Sequence, residues 1–239
     1  MRTYVKDKAG IYVNLFVGSK ITVEKIAGTD VEMVQKTDYP WHGQVAITVN
    51  PKTKATFTIY VRIPDRKTSA LYTAVPPVAG VSGFKVNGQA MTPRIEKGYA
   101  IVTREWQAGD TIEFELPMVP QRIFADPKIE ADRGRVALGY GPLVYNVEMA
   151  DQTSIETPLG DAPIKAVWRP DLLGGVMTLT GKWADGSAMT AIPNYARMNR
   201  IGAADEMGAG NVNYAPGTTG PAVTADVGPR ARFTGLQSQ

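Results

Sequence analysis

Acidic residues that share a face are the first groups to consider for catalysis, because acid–base chemistry commonly uses carboxyl groups that flank one reacting bond. Glu113 and Glu115 are two residues apart in the alternating segment 111–116, so their side chains lie on one face of a predicted strand. Ile112 and Phe114 lie on the opposite face. This alternation predicts a solvated strand face rather than a catalytic pair.

A second acidic group has basic neighbours. Glu130 and Asp132 lie beside Arg133 and Arg135, a pattern that favours structural ion pairs or plain surface charge over an acid–base couple. His42 is the single histidine, and the chain has no cysteine. The sequence therefore predicts no multi-histidine or thiolate metal site, no cysteine nucleophile and no serine–histidine–aspartate triad. It assigns no catalytic residue, no metal and no cofactor.

Aromatic residues beside polar groups offer a different chemistry, the binding of a sugar. The C–H surface of a sugar ring can stack on an aromatic ring while polar side chains bind its hydroxyl groups. The candidate sugar-binding residues lie beside predicted turns or in a short polar segment, and they are Tyr39, Trp41, His42, Trp168, Arg169 and Tyr195. Packing inside the fold is the alternative for each aromatic residue, and it is the preferred interpretation for Trp106 at a strand end.

The composition is that of an ordinary globular chain. Apolar residues make up 44% of the 239 residues and charged residues make up 21%. The net charge is +3 with both signs interspersed, so no nucleic-acid partner is predicted. No apolar stretch reaches the roughly 18 residues of a membrane span, and the first residues lack a signal-peptide core. The compartment is not indicated.

Short alternating segments separated by turn residues define the predicted fold. Residues 21–26, 56–62 and 99–106 read as strands, and Asn87-Gly88 is a strong hairpin signal. The first half of the chain has no segment with the spacing of an amphipathic helix. Many short strands without intervening helices predict antiparallel sheets packed face to face. The predicted class is all-β, a jelly-roll-like antiparallel β-sandwich.

Three regions are predicted along the chain. Residues 1–120 form a β-sandwich, and residues 121–201 form a second β unit. That unit is either another small sandwich or a set of strands that return to the first one. Residues 202–239 are rich in Ala, Gly and Pro and poor in large apolar side chains, so we expect a disordered tail.

Five motifs occur in a recognisable order. They are GIYVNLFVGS at 10–19, TDYPWHG at 37–43, RIP at 62–64, DRGRVAL at 132–138 and GPLVY at 141–145. Together they resemble the C-terminal part of glycoside hydrolase family 127, the β-L-arabinofuranosidase family.

The resemblance implies a division of labour between domains. In that family the catalytic cysteines and glutamates surround a zinc ion in a helical (α/α)6 barrel that precedes this region. No catalytic residue carries over onto this chain. The resemblance therefore implies an accessory β region, inactive alone, of a bacterial enzyme that acts on arabinofuranoside-type plant glycans. The implied partner is a catalytic barrel, in the same chain or in a separate one.

Two further expectations follow. The chain could instead be an independent carbohydrate-binding module for a plant polysaccharide or oligosaccharide, which is the main alternative. Separation from a barrel would expose an apolar side near residues 11–17 and the 39–41 turn, and such a patch favours association. The sequence thus also predicts a homo-oligomer.

Overall fold

The computed structural model describes residues 2–8, 10–64 and 69–198, and it adds the backbone of residues 212 and 213. Within these ranges the chain is all-β, as predicted, with three single-turn 3-10 segments and no α-helix. The tail predicted over 202–239 lies outside the described residues, except for a two-residue strand at 212 and 213.

The strands are numbered in chain order. They are β1 (Tyr4–Lys6), β2 (Gly10–Val13), β3 (Ser19–Ile26), β4 (Thr29–Thr37), β5 (Gln44–Pro51), β6 (Ala55–Arg62), β7 (Tyr72–Val75), β8 (Ser82–Val86), β9 (Gln89–Ala90), β10 (Arg94–Glu96), β11 (Tyr99–Trp106), β12 (Asp110–Glu115), β13 (Pro120–Ala125), β14 (Arg135–Tyr140), β15 (Leu143–Val147), β16 (Lys165–Arg169), β17 (Val176–Lys182), β18 (Ala188–Pro193) and β19 (Val212–Asn213). The 3-10 segments are Glu130–Asp132, Met149–Asp151 and Asn194–Ala196.

The described residues form two compact units. The first unit comprises the residues up to Ala70 together with Pro76–Val119. Its sheet A has the strand order β1-β2-β6-β11-β10, and its sheet B has the order β3-β4-β5-β12-β8-β9. Neighbouring strands are antiparallel except β2 and β6, which run parallel.

Alternation along the strands fills the space between sheets A and B. Ile59 and Val61 of β6 and Ile112 of β12 are fully buried, while the residues between them face outward. Trp106 is also fully buried, and its Nε1–H donates to the Phe57 carbonyl at 3.0 Å. Each such side chain contributes about 1.5–3 kcal/mol by leaving water. The predicted β-sandwich and the predicted core position of Trp106 are both confirmed.

The second unit contains one sheet with the order β16-β17-β18-β15-β14-β13-β7, and β19 pairs with β14. Its strand β7 belongs to Leu71–Val75, a segment that interrupts the sequence of the first unit. Leu138, Tyr145 and Leu179 are fully buried in this unit. It therefore has a core of its own and borrows one strand from the earlier part of the chain.

One sequence-based expectation was wrong. The apolar side expected near residues 11–17 is not exposed, because Ile11, Val13 and Phe16 are at most 5% exposed. These residues belong to the hydrophobic core of the first unit rather than to an exposed apolar side. Val17 alone in this segment is strongly exposed, at 50%.

Candidate carbohydrate-binding surfaces

The turn between β4 and β5 positions three of the six predicted sugar-binding residues. The N–H groups of Trp41 and His42 both donate to the Asp38 carbonyl, at 2.8 and 3.2 Å. Tyr39 packs on the core, where its ring meets the Phe16 ring edge-on at 6.3 Å between centroids. Trp41 is half-buried and His42 is exposed. The turn thus presents Trp41 and His42 at the surface and uses Tyr39 for packing.

Gly43 fastens this turn to the end of β12. Leu116 donates its N–H to the Gly43 carbonyl at 2.9 Å, and a Cβ on Gly43 would overlap the Leu116 carbonyl oxygen. Glycine is required because the two backbones approach too closely for a side chain. The last residue of the TDYPWHG motif therefore has a packing role.

Trp168 lies on β16, the edge strand of the second unit, and is 42% exposed. Its indole rests against Gly175, where an added Cβ would lie 2.7 Å from Cζ2. Gly175 has a φ of +106°, so this glycine supplies both the turn before β17 and the space for the indole. The ring is held in place by backbone while much of it remains accessible.

Arg169 follows Trp168 and is held by a nearby carboxylate. Its Nε and Nη2 donate to the two oxygens of Asp171 at 2.9 and 2.7 Å. These hydrogen bonds lower the pKa of Asp171 to about 2 and raise the pKa of Arg169. Because both side chains are exposed, the ion pair orients the guanidinium more than it stabilises the fold.

Tyr195 lies in the 3-10 segment Asn194–Ala196, directly after β18, and is 60% exposed. Partial desolvation raises the pKa of its hydroxyl. The residues that follow are anchored by Glu148, which is 1% exposed and accepts the Met198 N–H at 2.8 Å on Oε1. A buried carboxylate therefore fixes the end of the segment that carries Tyr195.

The six predicted residues fall into two groups. The first unit holds Tyr39, Trp41 and His42, and the second unit holds Trp168, Arg169 and Tyr195. Within the second unit, Trp168 pairs with Met177 across β16 and β17, and Tyr195 follows β18, the next strand of the sheet. Sugar binding by these residues remains a prediction, and each group is a candidate on its own.

Sheet A carries an aromatic cluster on its outer surface that the sequence analysis did not single out. Tyr12 and Tyr60 stack with ring centroids 4.2 Å apart and planes at 5°. Tyr99 meets Tyr12 edge-on at 5.4 Å, and the Arg62 guanidinium lies over the Tyr99 ring at 5.8 Å. We call Tyr12, Tyr60 and Tyr99 the tyrosine face.

Two hydroxyl groups of the tyrosine face have fixed partners. Tyr12 donates to Asp7 Oδ2 at 3.1 Å, and Tyr99 donates to Asn14 Oδ1 at 2.7 Å. Burial, together with the Asp7 carboxylate, raises the pKa of Tyr12 to about 12, so this hydroxyl keeps its proton near neutral pH. Each tyrosine is at an outward position of its strand, which is a signal visible in the sequence. The contact between them depends on which strands pair, and the sequence does not show the strand pairing.

The acidic residues singled out from the sequence face outward or form a surface ion pair. Glu113 and Glu115 point away from the core of the first unit, opposite the buried Ile112 and Phe114. Glu130 forms an exposed ion pair with Arg133 at 3.5 Å. Across the described ranges no group of three or more potential ligands could hold a metal ion. The same ranges contain no helix long and apolar enough to cross a bilayer.

Family models match the greater part of the chain. The model described as "Beta-L-arabinofuranosidase, GH127 middle domain" matches residues 10–118, and the model described as "Glycoside hydrolase family 127 C-terminal domain" matches residues 120–207. The chain belongs to glycoside hydrolase family 127. Along the chain, the first structural unit gives way to the second between Val119 and Pro120, which agrees with the 118–120 boundary of the two family matches, although β7 belongs to the second unit.

The chain covers only part of each relative that it matches. A non-reducing end β-L-arabinofuranosidase from Bifidobacterium longum subsp. longum is 31% identical over 169 residues, which cover 66% of this chain and 23% of that protein. A solved GH127 β-L-arabinofuranosidase from Geobacillus stearothermophilus T6 is 34% identical with a TM-score of 0.69, over 82% of this chain and 33% of that chain. A solved GH127 β-arabinofuranosidase is 28% identical with a TM-score of 0.74, over 83% and 34%. The chain thus spans about a quarter to a third of these relatives.

Proposed function

We propose that this chain serves as the noncatalytic β region of a family 127 enzyme that acts on arabinofuranoside-type plant glycans. The observation that carries the proposal is the pair of family matches, to a middle and a C-terminal domain, over 10–118 and 120–207. The named relatives are arabinofuranosidases, and the chain covers only part of each. Its role is to pack on and stabilise a catalytic barrel, supplied in the same chain or separately.

The positions of the buried carboxylates support this role. Asp110 is 3% exposed and accepts hydrogen bonds from Asn87 and Gln107, and Glu148 anchors the Met198 backbone. In each unit the buried carboxylate holds a loop in place, which is the structural role expected of an accessory region.

An activity assay on the purified chain tests the accessory role. We expect no hydrolysis of p-nitrophenyl β-L-arabinofuranoside above that of a heat-denatured sample, with or without added zinc. A family 127 catalytic barrel prepared without its own β region should gain thermal stability when the chain is added. Turnover by the chain alone would overturn the accessory role.

A second candidate function is an independent carbohydrate-binding module. The observation that favours it is the supported, accessible indole of Trp168 beside the oriented Arg169 guanidinium. Migration in native gels that contain arabinan, arabinogalactan or xylan tests it. Trp168→Ala should restore free migration, while Val167→Ala, an exposed neighbour on the opposite face of β16, should not. No retardation of the unmodified chain would contradict the module.

A further inference from the structure

Tyr12 and Tyr60 lie within a row of side chains that crosses all of sheet A, and Tyr99 lies in the neighbouring row, opposite Arg62. The pairing register aligns Val5 with Tyr12, Tyr12 with Tyr60, Tyr60 with Ile101 and Ile101 with Arg94. Neighbouring strands are about 4.8 Å apart, so a row across five strands is about 19 Å long. This length suits an extended ligand that lies across the strands rather than a compact one held in a pocket.

The rings of the tyrosine face are held in place before any ligand arrives. Tyr12 and Tyr60 restrict one another by stacking, and Tyr99 packs edge-on against both. Little side-chain entropy is then lost when a ligand binds. For flexible side chains this loss of entropy is a large cost.

The hydrogen-bonding directions of this surface suit hydroxyl groups. The Tyr99 hydroxyl spends its hydrogen on Asn14, so its oxygen is left to accept a hydrogen bond. The Tyr12 hydroxyl is engaged by both Asp7 and Tyr60. The Arg62 guanidinium beside the Tyr99 ring contributes donors only. Adjacent acceptors and donors over an aromatic surface match neighbouring hydroxyl groups on one sugar ring.

Charges of both signs lie near the row. Asp7 and Glu96 are negative, and Arg62 and Arg94 are positive, with Arg94 paired to Glu96 at 2.9 Å. A surface of mixed charge does not select a polymer of one sign, so a neutral ligand is compatible with it.

We propose that the tyrosine face is a binding site for a neutral oligosaccharide chain, which lies across the strands of sheet A and is bound through vicinal hydroxyl groups. This site goes beyond the accessory role, because it requires no catalytic barrel. It is also distinct from the Trp168 group, which belongs to the other unit.

Native electrophoresis in gels with soluble arabinan or xylan tests the site on the full chain. We expect the unmodified chain to be retarded in at least one of the two gels. Tyr60→Ala removes the stack and should weaken binding about tenfold. Tyr99→Phe keeps the ring but loses the hydroxyl, so binding should weaken about three- to tenfold with little change in the thermal midpoint. Tyr99→Phe keeps the test valid if Tyr60→Ala does not fold.

Three results would overturn the site. The first is the absence of retardation of the unmodified chain in both gels, and the second is equal retardation of the unmodified chain, Tyr60→Ala and Tyr99→Phe. The third is a loss of retardation in Trp168→Ala alone, which would place sugar binding in the second unit and leave the second candidate function standing. Hydrolysis by the isolated chain would overturn the accessory role without affecting any of these gel results.

Discussion

Two motif glycines lie where a neighbouring backbone leaves no room for a side chain. A Cβ on Gly10 would overlap the Thr58 carbonyl oxygen across the parallel pair β2 and β6. A Cβ on Gly43 would overlap the Leu116 carbonyl oxygen. Gly18 differs, because a Cβ added there would lie 3.7 Å from its nearest neighbour, the Thr37 carbonyl oxygen, which is an ordinary contact distance. The motif glycines therefore differ in the substitutions they tolerate.

Gly43→Ala should destabilise the chain by about 2 kcal/mol or more, because β12 and the 37–43 turn must move apart. Thermal unfolding followed by circular dichroism measures the effect, and the midpoint should fall by about 4 °C or more. Gly18→Ala is the matched control and should leave the midpoint within about 1 °C. Similar midpoints for both variants would contradict the close approach at Gly43.

Asp110 connects two hairpin turns of the first unit. Its carboxylate accepts Nδ2–H of Asn87 at 2.8 Å and the N–H of Gln107 at 3.0 Å, while Asn87 Oδ1 accepts the N–H of Thr111. Asp110→Ala should cost about 2–3 kcal/mol, because it leaves two donors without their acceptor. Urea unfolding measures the loss. Glu115→Ala, on the exposed face of the same strand, should cost under about 0.5 kcal/mol.

Tyr12 should make stability depend on alkaline pH. Its pKa is raised from 10.0 to about 12 in the folded chain. Between these two values the unfolded chain loses the proton and the folded chain retains it, so the free energy of unfolding should fall as pH rises through this window. Urea unfolding at several pH values compares the chain with Tyr12→Phe, which should show a shallower decline. Equal slopes would show that Tyr12 titrates normally.

At the scale of elements, the alternation of apolar and polar residues was sufficient to predict the positions of the long strands. β3, β6, β11 and β12 lie within one or two residues of the predicted segments, and the Asn87-Gly88 hairpin is confirmed by positive φ angles of 52° and 73°. Period-two burial is a local property, so the sequence reveals it directly. The short strands β1, β7 and β10 were not predicted, because three or four residues carry too little pattern.

Pairing between strands was the part that local pattern could not supply. Tyr12, Tyr60 and Tyr99 meet because β2 pairs with β6 and β6 with β11, and no turn signal specifies these distant contacts. The six predicted sugar-binding residues fall into two separate groups in the structure, and the sequence could not show this because it does not reveal which distant segments come together. Their residue types were readable in the sequence, whereas their spatial neighbours were not.

The borrowed strand β7 gives a prediction at this scale. A chain that ends at Val119 keeps β7 but loses β13. In the full chain, residues Arg122 to Ala125 of β13 pair with Val75 to Tyr72 of β7. We expect the unpaired segment to be cleaved rapidly by a protease, as measured by mass spectrometry of the fragments, whereas the full chain should resist cleavage there. Equal cleavage of both chains would contradict the pairing.

For the whole molecule, self-association remains a prediction. The apolar segment first expected to drive it is largely buried, but the edge strand β16 exposes Val167 and Trp168 and is a surface of the kind that associates. Light scattering coupled to size exclusion should give a mass of about twice 25.8 kDa, or a higher multiple of it, at micromolar concentration. A mass of 25.8 kDa across the concentration range would contradict a homo-oligomer.

The strand β7 also bears on how such a gene can be rearranged. A recombination event at the codons for Val119 and Pro120 would cut between the two family domains, yet it would separate β7 from β13. Each recombinant would inherit either a strand without its sheet or a sheet without its edge. The two domains are therefore expected to be inherited and exchanged as one block, even though their sequences divide cleanly at that point.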